Sequence, residues 1–175
     1  MKDYDLKANS YDWLYLEEQM SKYEFAEKRT ELGIESKVLD LGCGTGLFSE
    51  RIVDKVELIV GIDLSIGMLL KAKSKFSKKS NIHFINSDMD HLPLRENIFN
   101  RAFIFTVLER SSGISNVIGE LNRVLTVDST VIVSILKKNI SQIDFESIIS
   151  KMNLKHRPSV EDTDAKDFLI TLELK

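Results

Sequence analysis

The apolar positions along this chain change period several times, and each change marks an element. Val38, Leu39 and Leu41 form a short, nearly continuous apolar run, the pattern of a parallel strand covered on both faces, and predict a first strand over 37–41. Similar runs predict strands at Leu58-Ile59-Val60-Gly61-Ile62 (ending at Asp63), at Ile82–Asn86, at Arg101–Phe105 and at Thr130–Leu136. Between them the spacing turns helical. Leu47 to Val53 predicts a helix over about 46–54; Ile66, Met68, Leu69 and Ala72 predict another, with Ser65 as its cap. Ile114, Val117, Ile118, Leu121, Val124 and Leu125 predict a third. A helix over about 141–152 and two strands over about 154–160 and 167–174 complete the chain. Upstream, Trp13, Leu16, Met20 and Tyr23 recur at helical spacing and predict a helix over about 11–30, ended by Gly33. Seven strands alternating with helices, the last two adjacent, predict a doubly wound α/β layer. No internal repeat or low-complexity linker divides it, so 1–175 reads as one domain.

The first strand leads straight into Gly42-Cys43-Gly44-Thr45-Gly46. A residue without a Cβ lets the backbone approach a ligand closely and take positive φ. The following helix start turns free N–H groups towards that turn. A dinucleotide fingerprint, Gly-x-Gly-x-x-Gly, fits poorly, because Leu47 stands where its third glycine would permit close helix–strand packing. Asp63 falls about 20 residues after Gly42, at the carboxyl end of the next strand, where a carboxylate can accept from ribose hydroxyls.

The stretch Asp40-Leu41-Gly42-Cys43-Gly44-Thr45-Gly46 resembles the first motif, acidic-x-Gly-x-Gly-x-Gly, of the class I S-adenosylmethionine-dependent methyltransferases, most closely the small-molecule, methyltransferase type 11-like kind. Gly61-Ile62-Asp63-Leu64-Ser65 with Gly67-Met68-Leu69, and Glu120-Leu121-Asn122-Arg123-Val124-Leu125, resemble two further segments of that family. The resemblance implies a seven-stranded Rossmann-like sheet of order 3-2-1-4-5-7-6 with strand 7 antiparallel. It implies S-adenosylmethionine as cofactor, with Asp63 on the ribose, Asp88 on the adenine amino group and the backbone of Met89 against the ring. The cofactor site it implies comprises Asp40, Gly42, Cys43, Gly44, Gly46, Asp63, Leu64, Met68, Asp88, Met89 and Thr106. Where the family usually has aspartate this chain has Asn100, and where many relatives have a histidine it has Glu109 and Arg110. The first departure lies at the amino end of a strand, away from the ligand edge; the second leaves the acceptor open.

All four tyrosines and Trp13 lie in the first 25 positions. In the family a leader rich in Tyr-Asp, like Tyr4-Asp5 and Tyr11-Asp12, often covers the cofactor. On the plainer reading the stripe packs the helix onto the core; on the functional reading, compatible with it, residues 1–30 form a helical lid on a core of 31–175, and deleting 1–25 is expected to leave a folded sheet. Composition narrows the function. Apolar residues make 43% and charged residues 29%, as in an ordinary globular protein. A net charge of −3 and a pI near 5.7 argue against nucleic-acid or membrane partners. The basic run Lys71, Lys73, Lys75, Lys78 and Lys79 reads as a solvated helix end. The single Cys43 allows no intrachain disulfide, the three histidines are too dispersed for a metal triad, and no signal peptide or bilayer-length apolar run is visible. A cytoplasmic, reducing setting is expected.

Methyl transfer needs the acceptor in line behind the methyl more than it needs acid–base help. If the acceptor carries a proton, Tyr11, His91 and Glu109 are the candidate bases. No Asn-Pro-Pro-Tyr type sequence points to DNA bases or glutamine as acceptor. The leading expectation is a methyltransferase acting on a small molecule. A non-catalytic S-adenosylmethionine-binding partner or regulator is the alternative, and a nicotinamide oxidoreductase is disfavoured by Leu47.

Overall fold

The computed structural model describes residues 19–108, 113–137, 154–155, 158–162 and 167–175. Helix α1 (19–29) leads into a central sheet. In chain order there follow β1 (Lys37–Leu41), α2 (Leu47–Ile52), β2 (Leu58–Asp63), α3 (Ile66–Lys75), β3 (Ile82–Asn86), β4 (Phe99–Phe105), α4 (Ile114–Val124), β5 (Leu125–Leu136), β6 (Ser159–Asp162) and β7 (Asp167–Glu173). The strands form one seven-stranded sheet, β3-β2-β1-β4-β5-β7-β6. The first five are parallel neighbours; β7 runs antiparallel to both β5 and β6. This is the Rossmann-like order expected.

Alternation along the parallel strands sends side chains into two apolar layers. Leu39, Leu41, Val60, Ile62, Ala102 and Ile104 pack on one face with Val117, Ile118, Leu121 and Val124 of α4. Val38, Ile59, Phe103 and Phe105 pack on the other with Phe48 and Ile52 of α2, Leu69 and Ala72 of α3, and Tyr23, Phe25 and Ala26 of α1. Both faces are covered, which is why the strands read as continuous apolar runs.

Several boundaries differ from the sequence expectation. Gly33 does not end α1: Thr30 does, its N–H and hydroxyl both donating to Ala26 O, at 3.0 and 2.6 Å. Gly33 instead closes a turn with Ser36, whose N–H donates to Gly33 O at 2.8 Å. The segment Val127-Asp128-Ser129 does not separate helix from strand. β5 begins at Leu125, directly after α4, and absorbs the three residues as an irregularity with Asp128 at φ 62°. The pairing register jumps there, from Phe99↔Leu125 to Arg101↔Thr130. β4 likewise begins at Phe99, earlier than expected. The expected strand over 154–160 is a bridge at Leu154↔Leu174 followed by β6. The expected helix over 141–152 lies outside the described residues.

The segment read as a lid is packed where it is described. Tyr23 is 6% exposed, with ring centroids 5.1 Å from Phe48 and 5.2 Å from Phe105. Glu27 pairs with Arg51 of α2 at 2.5 Å and Lys55 at 3.0 Å. One face of 19–30 therefore packs on the core, as the plainer reading of the stripe expects; Tyr4, Tyr11, Trp13 and Tyr15 lie outside the described residues. Among the described residues no helix is long and apolar enough to cross a membrane.

Candidate cofactor site

The strand order reverses between β1 and β4, so the connections leaving their carboxyl ends diverge and open a crevice. The glycine turn borders it. Gly42 and Cys43 donate to Ile62 O at 2.8 and 3.1 Å, which holds the turn to the end of β2. Gly42, Gly44 and Gly46 have φ of 74°, 54° and 77°, a region costly for residues with a Cβ. At Gly42 the reason is also contact: a Cβ would lie 2.5 Å from Val107 Cγ1. At Gly44 it is the opposite, since a Cβ would meet no atom of the described residues within 4 Å. Gly44 thus presents bare backbone to open space.

Asp63 links this turn to the next one. Its Oδ2 accepts from Gly44 N–H at 2.8 Å and its Oδ1 from Ser65 N–H at 2.8 Å. Ser65 in turn caps α3 through Met68 N–H at 3.2 Å. A carboxylate offers about four acceptor sites, so holding two amides is compatible with accepting from sugar hydroxyls. Asn86, at the end of β3, donates its amide to Asp63 O and Leu64 O, both at 2.9 Å. Asp88 follows, exposed, with its Oδ1 accepting from Asp90 N–H at 3.1 Å. The carboxyl ends of β1, β2 and β3 are thereby tied side by side through Asp63.

A family model described as a methyltransferase domain matches residues 38–128, just over half of the chain, and spans every part of this crevice. The chain belongs to the class I S-adenosylmethionine-dependent methyltransferases, an enzyme family whose cofactor is S-adenosylmethionine. It is 37% identical over 95 residues to a malonyl-[acyl-carrier protein] O-methyltransferase of Legionella pneumophila, covering 53% of this chain and 33% of that protein. It is 30% identical over 141 residues to a malonyl-[acyl-carrier protein] O-methyltransferase of Marinomonas, covering 78% and 51%. The chain therefore spans one third to one half of these relatives. A crystal structure of an S-adenosylmethionine-dependent methyltransferase from Aquifex aeolicus shares the fold at a TM-score of 0.83 and 17% identity, covering 98% of each chain.

Within this methyltransferase domain the residues singled out in the sequence fall into groups. Gly42, Gly44 and Asp63 meet at the carboxyl ends of β1 and β2, and Asp88 follows β3; Gly46 is buried, where a Cβ would lie 2.7 Å from Phe76 Cε2. Leu64, just after β2, is 42% exposed. Asp40 is buried beneath the turn; its Oδ2 accepts from Ser49 Oγ at 3.0 Å, and burial, reinforced by Asp63, pushes its pKa up to about 7. Cys43 is buried, which raises its thiol pKa well above the ordinary value. Met68 (2% exposed) and Met89 (9%) are buried as whole residues, and the Met68 N–H is held by Ser65 Oγ. Thr106 follows β4, but its hydroxyl is engaged on the far side, with Lys22, Ser134 and Asp167. His91 is exposed, and its N–H donates to Asp88 O at 3.3 Å. Tyr11 and Glu109 lie outside the described residues.

The structure adds residues that the sequence reading passed over. Asn86 ties two strand ends, Val107 fills the notch at Gly42, and Ser49 satisfies Asp40. Each is an ordinary residue type at an ordinary position. Only Asn86, a side-chain amide at a strand end, carried any local signal.

Proposed function

We propose that the chain binds S-adenosylmethionine across the carboxyl ends of β1 to β4 and transfers its methyl group to a small acceptor. The observation that carries the reading is the Gly44–Asp63 pair: an amide fixed at 2.8 Å by the carboxylate at the end of β2, with open space over the glycine Cα. In this reading the cofactor's ribose hydroxyls donate to Asp63, Asp88 accepts from the adenine amino group, and the backbone of Met89 lies against the ring. When bound, S-adenosylmethionine supplies an electrophilic methyl on sulfur. The chain's contribution is then to fix orientation at near-attack distance and exclude water.

The relatives named as malonyl-[acyl-carrier protein] O-methyltransferases favour a small acyl group as acceptor. The acidic balance of the chain argues against nucleic acid, and its single thiol suits a reducing, cytoplasmic setting. Titration calorimetry with S-adenosylmethionine, S-adenosylhomocysteine and NAD tests the cofactor. S-adenosylhomocysteine release with a panel of acyl thioesters and small acids tests turnover. Binding of the first two ligands with acceptor-dependent release is the expected result. Cofactor binding without release for any acceptor favours the non-catalytic alternative, and preference for NAD overturns the reading.

A further inference from the structure

Thr106, directly after β4, has φ 56°, a left-handed conformation that a β-branched residue rarely adopts. Such strain persists only where the surroundings over-determine it. Those surroundings are a buried polar set drawn from distant parts of the chain. Lys22 of α1 donates from Nζ to Thr106 Oγ1 at 2.8 Å and pairs with Asp167 Oδ2 at 2.6 Å. Thr106 Oγ1 donates to Asp167 Oδ2 at 3.1 Å and lies 3.1 Å from Ser134 Oγ. The Lys22 and Asp167 side chains are 1% and 0% exposed. Asp167 Oδ1 is buried with no hydrogen-bond partner, a cost that an apolar residue at this site would avoid.

The conformation of Thr106 has a consequence one residue on. Val107 lies over the end of β1, its Cγ1 only 2.5 Å from where a Cβ of Gly42 would stand. The crevice between β1 and β4 is thus bridged at its floor by Val107 on the first glycine of the turn. We propose that Lys22 and Asp167 are positioning residues: their buried pair holds Thr106 left-handed, which seats Val107 on Gly42 and sets the shape of the glycine turn. The functional consequence rests on the reading of that turn as the S-adenosylmethionine site; the geometric link does not.

The test uses the full chain. The double variant Lys22→Met/Asp167→Asn removes the pair without leaving one charge buried alone. Thr106→Val removes only the hydroxyl and keeps the pair. Adding Thr106→Gly to the double variant supplies a residue that takes positive φ unaided. Amide NMR shifts of Gly42 and Gly44 without ligand read the turn, and calorimetry with S-adenosylhomocysteine reads its affinity. The double variant and Thr106→Val are expected to move both glycine amides and weaken binding tenfold or more. Thr106→Gly in the double variant is expected to return both readouts towards wild type. Unmoved glycine amides in a folded Thr106→Val or double variant, or no rescue by glycine, would overturn the proposal and leave the pair as a fastener for α1. Should the double variant fail to fold, Thr106→Val decides alone. A wild-type chain that does not bind S-adenosylhomocysteine overturns the cofactor reading only, because the amide shifts still decide the link.

Discussion

Two carboxylates at the ends of neighbouring strands, Asp40 in β1 and Asp63 in β2, show how position sets chemistry. Asp63 ends β2 and accepts two turn amides. Asp63→Ala removes both acceptors along with the proposed sugar partner, so S-adenosylmethionine affinity should fall about ten- to a hundredfold, from the roughly 1.5–3 kcal/mol of a charge-assisted bond. Calorimetry on the folded variant checks it; unchanged affinity would remove Asp63 from the site. Gly44→Val places a β-branched side chain at φ 54° in the open space beside the turn. Binding should be lost while circular dichroism keeps most of the helix and sheet signal, and normal binding would make the turn purely structural. Asp40 carries a pH signature. Its pKa is raised to about 7 by burial, so the folded state holds a proton that the unfolded state has released. That contribution is present below pH ~4 and is lost as pH rises through about 7. Asp40→Asn should therefore gain stability relative to wild type as pH rises between these values, by on the order of 4 kcal/mol at most. Urea denaturation across that range measures it, and a flat difference would mean an ionised Asp40.

At the scale of elements, the segment Glu120–Leu125 turns out to be a clamp. Arg123 donates to both carboxylate oxygens of Glu120, at 2.8 and 2.7 Å, and to Leu94 O and Leu92 O at 2.7 and 3.0 Å. Glu120 also accepts from Leu92 N–H at 2.6 Å. The pair thus fastens α4 to the connection that follows β3, behind Asp88 and Met89. Asn100 does similar work at the other edge, accepting from Lys37 N–H at 2.9 Å and donating to Glu35 O at 3.2 Å, so β1 and β4 start in register. That is why asparagine serves there. Arg123→Ala should destabilise the fold by about 1–2 kcal/mol, reduced from the full charged-bond value because the guanidinium is partly exposed. Arg123→Lys should not restore it, since an ammonium cannot bridge two oxygens and two carbonyls in one plane. Arg123 holds the Glu120 pKa below its usual value, so this contribution exists above about pH 4.3 and fades as pH falls through the lowered pKa. A loss that persists undiminished at low pH would count against the ion pair.

For the whole molecule, the first described helix and the last strand are locked together. Lys22 and Asp167 meet beside β4 and β5, and Tyr23, Phe25 and Ala26 complete one apolar layer. Deleting 1–25 would strip Tyr23 and Phe25 from that layer and leave Asp167 buried without Lys22, a loss of about 3–5 kcal/mol from the charge alone. The truncated chain should therefore melt far lower than wild type or fail to fold, contrary to the expectation that deleting 1–25 leaves the sheet intact. Hydrogen exchange gives the complementary check: amides over 19–29 should be strongly protected with and without S-adenosylhomocysteine. Protection that appears only with ligand would restore the lid.

The strand and helix order, the glycine turn and Asp63 were legible in the sequence because each is local. Apolar period reports burial on one or both faces, and a glycine run between strand and helix reports a close backbone approach. The antiparallel last strand came from family resemblance, since pattern alone does not carry strand direction. Tertiary structure decided the rest. Nothing near Lys22 in the chain signals a buried cation, because its partner is Asp167, and the pairing exists only once α1 crosses the sheet. Met68, Met89 and Thr106 lie near strand ends along the chain, yet side-chain direction depends on what packs behind each strand end. The length of β5 was hidden because Val127-Asp128-Ser129 has turn chemistry and was absorbed into a paired strand. Spacing along a chain fixes where an atom can be; only the neighbours brought from elsewhere fix which way it faces.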